Sequence, residues 1–186
     1  MVDENGNVVN SQSDLSVATT KHVENIFRDL KSSLLTNQLN VIQHYPRLFS
    51  TDDNQSLSKP VTLKEIEEIL KSCVKEKSPG PDGWTVEFYL GLWDIMVNDI
   101  LQLVEESRVM GYISGSLNST FIALIPKKLK PSSYDDYRLI SLCKFLYKII
   151  SKIIAERIKP FLSGIILMEQ FGFIPHRQIL DAVDLA

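Results

Sequence analysis

Apolar residues fall at helical spacing along most of this chain, interrupted by two short runs with strand character. Val23, Ile26, Phe27, Leu30, Leu34 and Leu35 form a helical stripe over residues 21–43, which Tyr45 and Pro46 close. A polar linker is expected over residues 50–58. Leu63, Ile66, Ile69, Leu70, Cys73 and Val74 repeat the helical pattern behind Thr62, which with Glu65 makes a capping box. Short and highly charged, this helix is expected on the surface of the domain. The next helix starts near Thr85 and carries Phe88, Tyr89, Leu92, Trp93, Ile95, Met96, Ile100, Leu103 and Val104. Gly111 stops it.

Between these two helices lies SPGPDGW, residues 78–84. Pro79, Gly80, Pro81, Asp82 and Gly83 exclude helix and central strand, because proline lacks a donor and glycine favours turns. Taken alone, the segment reads as a structural turn.

The strand-like runs come next. Residues 121–125 are apolar, end at Pro126, and lead into Lys127, Lys128 and Lys130. A polar turn over residues 131–133 precedes the second run, residues 137–142, which carries Arg138. From Cys143 the period changes to that of an amphipathic helix. Phe145, Leu146, Ile149, Ile150, Ile153 and Ile154 form its core side, while Lys144, Lys148 and Lys152 recur every four residues, with Lys159 near the same face. Lys159 and Pro160 mark a break. A Gly- and Pro-punctuated loop over 170–177 follows, and then the opening of a helix that reads as truncated at Ala186. These elements predict an α+β, helix-dominated fold with a small antiparallel strand pair.

Charge changes the picture in one place. Residues 121–160 hold nine Lys/Arg against three Asp/Glu, a net of +6 in a chain whose total is −3. A concentrated basic segment in an acidic chain points to an anionic partner, although a solvated basic face on an ordinary helix gives the same count. At 186 residues and 44% hydrophobic, the chain can bury a substantial core. No apolar run approaches the roughly 20 residues of a membrane span. The polar, acidic start resembles neither a signal nor a transit peptide, so an intracellular location is the default expectation. Residues 1–20 are expected to be disordered. Cys73 and Cys143 lack metal-ligand spacing and read as reduced core thiols, and His22, His44 and His176 are scattered singly. No metal site is expected.

Four pieces in order carry a resemblance: VTLKEIEEIL before SPGPDGW, then FIALIPKK, then YRLISLCKFLYKIISKIIAERIKP, then QFGFIPHRQILDAV. Together they resemble the reverse transcriptase of plant-type non-LTR (LINE-type) retrotransposons, from about Tyr45 to Ala186. The resemblance implies the fingers and the start of the palm of a right-hand polymerase over residues 59–186, preceded by a helix and linker over 21–58. It places Lys127, Lys128 and Arg138 at the triphosphate of the incoming nucleotide, where Arg grips phosphate bidentately and Lys acts as a point charge. It places Lys144, Lys148 and Lys152 along the template backbone, where contacts position a strand without reading its sequence. Gln170, Gly172, Phe173 and Arg177 match the family's next motif, associated with the template and the active-site wall. Two positions depart from the family pattern, Leu139 where Pro is common and His176 where Gly is common.

The family's metal-binding carboxylates belong to two later motifs that match nothing in this sequence. Tyr134, Asp135 and Asp136 do not form the Tyr-x-Asp-Asp tetrad, lacking its intervening residue. The expectation is therefore an inactive fragment of an RNA-directed DNA polymerase with no catalytic residue and no cofactor of its own. Mg²⁺ is implied only for the complete family enzyme. The expected partner is RNA or an RNA–DNA hybrid, bound weakly and without sequence preference, and lost with salt. Two other readings stand beside it. One is a remnant without ligand that self-associates through the face left open by the missing palm; the other is a polymerase completed by a second chain.

Overall fold

The computed structural model describes residues 8–28, 39–40, 42–44 and 47–166. The chain divides into two compact units, one of residues 1–46 with 122–141 and one of residues 47–121 with 142–186.

The first unit contains α1 (Gln12–Phe27) and most of an antiparallel pair, β1 (Thr120–Pro126) and β2 (Tyr137–Cys143). Both strands fall where the apolar runs place them. Helix α1 begins well inside the stretch expected to be disordered. Its start is a local signal, the Ser11 hydroxyl accepting from the Asp14 amide at 3.1 Å. Its anchor is tertiary and invisible to a local reading. Tyr134, buried in the β1–β2 connection, stacks on His22 at 4.7 Å and sets its phenol 2.9 Å from the Thr19 hydroxyl.

The second unit is helical. It comprises α2 (Thr51–Leu57), α3 (Leu63–Ser72), α4 (Val86–Gly91), α5 (Trp93–Met110), the single turn α6 (Gly115–Asn118) and α7 (Phe145–Ile165). One core joins Ile66, Ile69 and Leu70 of α3, Val86 and Tyr89 of α4, Ile100 and Val104 of α5, and Phe145, Ile149, Ile150 and Ile153 of α7. Helix α3 is therefore not a surface element. Its apolar face reaches the centre, with Ile66 at 0% exposure, while Lys64, Glu68 and Lys71 face water. The short amphipathic pattern was right; its strongly charged outer face masked how deep the inner one sits.

The structure departs from expectation in four further places. The expected linker over 50–58 contains α2, closed by a reciprocal box in which Ser50 and Asp53 each bind the other's backbone amide, at 3.1 and 2.8 Å. The single helix expected to run from Thr85 to Gly111 is two, because Leu92 after Gly91 leaves helical geometry at φ −111°, ψ 18°. Gly111 ends α5 at φ 62°, the left-handed cap that its position predicts. Helix α7 passes through Pro160 to Ile165 rather than breaking, with Phe161 packed edge-on against Phe49 at 5.7 Å beyond the missing donor. Ile154, placed on the core side by periodicity, is 51% exposed. Cys73 and Cys143 are free and half-buried.

One arginine locks the helical unit together. Arg157 on α7 binds both carboxylate oxygens of Glu65 on α3, at 2.7 and 2.8 Å. The same guanidinium donates to the carbonyls of Leu57, Lys59 and Pro60, at 3.0, 2.6 and 3.2 Å. Glu105 and Arg108 of α5 hold the same segment, taking the Val61 amide and reaching the Ser58 carbonyl. A planar fork suits this task, since lysine could not serve a carboxylate and three carbonyls at once.

The Arg157 guanidinium holds the Glu65 carboxyl below its ordinary value of 4.5. Folding thus favours the ionised form, and the pair's full contribution exists above that value and is lost as pH falls through the lower folded one. Urea unfolding midpoints should drop on acidification from about pH 5 downward. Glu65→Gln should lower stability by about 1–2 kcal/mol near neutrality and flatten part of the acid limb; an acid limb identical to that of the parent contradicts the clamp.

Candidate functional site

In the first unit the cations follow β1 directly. The Lys127 amide donates to the Asp136 carbonyl at 2.7 Å, and its ammonium to the Asp135 carbonyl at 2.8 Å. Lys128 instead forms an ion pair with Asp136 at 2.8 Å. The other Asp136 oxygen accepts from the Ser132 and Ser133 amides, at 2.7 and 3.1 Å. Lys128, with these amides, holds the Asp136 carboxyl far below the ordinary aspartate range. Arg138 is exposed on β2, and no hydrogen bond or ion pair engages it among the described residues.

These three residues therefore differ. Lys127 rests on a neutral oxygen, the Arg138 guanidinium has no partner among the described residues, and Lys128 is paired with a carboxylate eight residues along. Asp136 is committed on both oxygens, and among the described residues no group of three or more His, Cys, Asp or Glu side chains is placed to hold a metal ion.

In the second unit the lysine row lies on α7 and its start. Lys144 caps the helix and reaches the Ser116 carbonyl at 2.7 Å. Lys152 donates to the Ser72 hydroxyl at 2.8 Å and lies 3.8 Å from the Cys73 sulfur. Lys148 lies between them without an ion pair among the described residues. The acceptors of Lys144 and Lys152 are neutral, so among the described residues no carboxylate pairs with any of the three.

The PGPDG segment is placed against the start of this row. Gly80 to Gly83 forms a turn closed by the Gly83 amide on the Gly80 carbonyl at 3.1 Å, with Gly83 at φ 75°. Gly80 is buried against the backbone itself: a Cβ there would lie 2.5 Å from the Cys143 carbonyl carbon and the Lys144 nitrogen. The glycine is needed for this approach. Past the turn, Trp84 stacks on Phe88 at 3.9 Å and stays 46% exposed. A groove of about 310 Å³ runs between the end of α3, this turn and α7, lined by Lys77, Trp84, Lys148 and Lys152 among others.

Lys77 and Trp84 were not among the residues singled out from sequence. The available signal was a tryptophan directly after a turn, with a lysine just before the prolines. A second groove of about 380 Å³ between α5 and α7 is apolar, and its Arg108 and Arg157 are spent on carboxylates and carbonyls. Gln170, Gly172, Phe173 and Arg177 lie outside the described residues.

No protein-family model matches the chain. A curated relative does: the transposon TX1 uncharacterized 149 kDa protein of Xenopus laevis, 34% identical over 131 residues. The chain is similar to a transposon protein. The match takes in 70% of this chain and 10% of that protein, so the chain spans about a tenth of the relative's length. It supports a transposon origin for the sequence.

The Gly80 contact is directly testable. Gly80→Ala should destabilise the protein by about 1–3 kcal/mol, since two backbones must separate. Gly91→Ala, with open space around its Cβ, should change stability by no more than about 0.5 kcal/mol. Equal denaturation midpoints for the two variants would show that the turn is not fastened in this way.

Proposed function

We propose that the chain is the fingers and early-palm segment of a non-LTR reverse transcriptase, of the plant-type class that its four motifs resemble. Its residues hold template–primer and nucleotide phosphate. The observation that carries this reading is electrostatic. In a chain of net charge −3, Lys127, Arg138, Lys144, Lys148 and Lys152 are bound to neutral oxygens or to nothing among the described residues, so their charge remains available. A cation already paired to a carboxylate gives little to a phosphate; these are not paired. The transposon relative supports the origin.

In this reading Arg138 and Lys127 take the nucleotide's phosphates. The row from Lys144 to Lys152 lies along a strand's backbone, fixing position without reading bases. The family's metal ions would supply the electrostatic clamp for phosphoryl transfer, and among the described residues no group of three or more His, Cys, Asp or Glu side chains is placed to hold one.

A second reading, a protein-binding remnant, draws on the apolar exposure of Ile95, Val109, Met110 and Tyr112, each more than 60% exposed.

Anisotropy of a labelled RNA–DNA primer-template across a salt series tests the proposal. Affinity should fall with salt, the slope reporting roughly one unit for each phosphate neutralised. Lys127/Lys128/Arg138→Ala should weaken binding. Arg138→Ala alone should cost more than Lys128→Ala, whose charge Asp136 already balances. A folded, monodisperse sample that binds nothing overturns the reading and leaves the resemblance a record of ancestry only.

A further inference from the structure

The groove between the end of α3, the PGPDG turn and α7 combines two features that the lysine row alone lacks. Its lining holds three cations, Lys77, Lys148 and Lys152, and no carboxylate. Lys152 is steered into it by the Ser72 hydroxyl, a neutral acceptor, and no ion pair engages Lys77 or Lys148 among the described residues. The same wall carries Trp84, stacked on Phe88 at 3.9 Å with ring planes 25° apart and left half exposed. An aromatic ring fixed in place by a second ring and then left in water is a platform for another flat group. Like cations crowded around it repel one another unless an anion joins them.

Resting on the nucleic-acid reading above, we propose that this groove takes one unstacked nucleotide of a single strand. Its base lies on the Trp84 indole and its flanking phosphates on Lys77, Lys148 and Lys152. At about 310 Å³ the groove has the size of a small-ligand site and admits one base, not a duplex. In a duplex the base faces are already stacked and cannot reach an indole, so the groove discriminates for single-stranded substrate. Stacking is indifferent to base identity, so it adds affinity without sequence preference.

The test uses the whole chain with two probes, a short labelled oligo-uridine and a blunt duplex of equal length. Oligo-uridine should bind more tightly and quench tryptophan emission. The chain has two tryptophans, and Trp93 packs against the core, so loss of the quench in Trp84→Phe, the indole being the reporter, assigns it. Trp84→Leu should weaken oligo-uridine binding about tenfold, Trp84→Tyr should restore most of it, and duplex binding should move with neither. Lys77→Ala should lower the salt slope for oligo-uridine by about one unit.

Should the parent bind oligo-uridine with neither quench nor a Trp84→Leu effect, the groove proposal falls while the nucleic-acid reading stands. Absence of binding to either probe or to the primer-template removes both. Equal losses in Trp84→Leu and Trp84→Tyr, with equal losses on duplex, would show that the ring is structural, and would also overturn the proposal.

Discussion

Ile149 of α7 is 1% exposed and packs in one core with Ile66 and Leu70 of α3, and the rest of the helical unit depends on that burial. Each such side chain removed from water contributes roughly 1.5–3 kcal/mol, several times the median of an exposed ion pair. The apolar seam therefore decides that α7 packs and which face it turns inward. Arg157 then decides the register. Its five bonds to Glu65 and to the 57–60 carbonyls are satisfied in one arrangement of α7 against α3. With face and register both fixed, Lys144, Lys148 and Lys152 have no freedom to turn inward. Their position is a consequence of where isoleucine had to go.

What those lysines can do depends on their acceptors. A lysine on a carboxylate is an ion pair of small net field; a lysine on a carbonyl or hydroxyl is held in place but still charged. Lys144, Lys152 and Lys127 are of the second kind, and Lys128 is of the first. The distinction separates residues that a simple count of basic residues treats as equal. Several carboxylates are paired with other cations, Glu65 with Arg157, Glu105 with Arg108 and Glu67 with Lys71, and none of these reaches the lysine row.

Features with a local cause were legible in the sequence. The two strands, the Thr62 cap, the Gly111 stop and the turn at Gly80 to Gly83 each rest on a few neighbouring residues, although the expected Thr62–Glu65 box forms only its Thr62 half, the Glu65 carboxylate being taken by Arg157. Features with a distant cause were not. Helix α1 is anchored by Tyr134 from the other end of the chain, and α7 runs on past Pro160. The box of Ser50 and Asp53 was legible but outweighed by the polarity around it. The candidate site divides likewise. Periodicity located the lysine row. The pairing of Lys128 with Asp136 and the joining of Lys77, Trp84 and Lys148 around one groove needed the fold.

The central claim is that specific lysines are left without a carboxylate partner and so available to a polyanion, while others are already paired. Lysine acetylation footprinting, read by mass spectrometry with and without single-stranded RNA, tests it one residue at a time. The account predicts RNA-dependent protection at Lys77, Lys127, Lys144, Lys148 and Lys152, weaker protection at Lys128, and none at Lys64 or Lys71, whose partners are Glu68 and Glu67. Protection spread evenly over all lysines, or confined to Lys64 and Lys71, would contradict it.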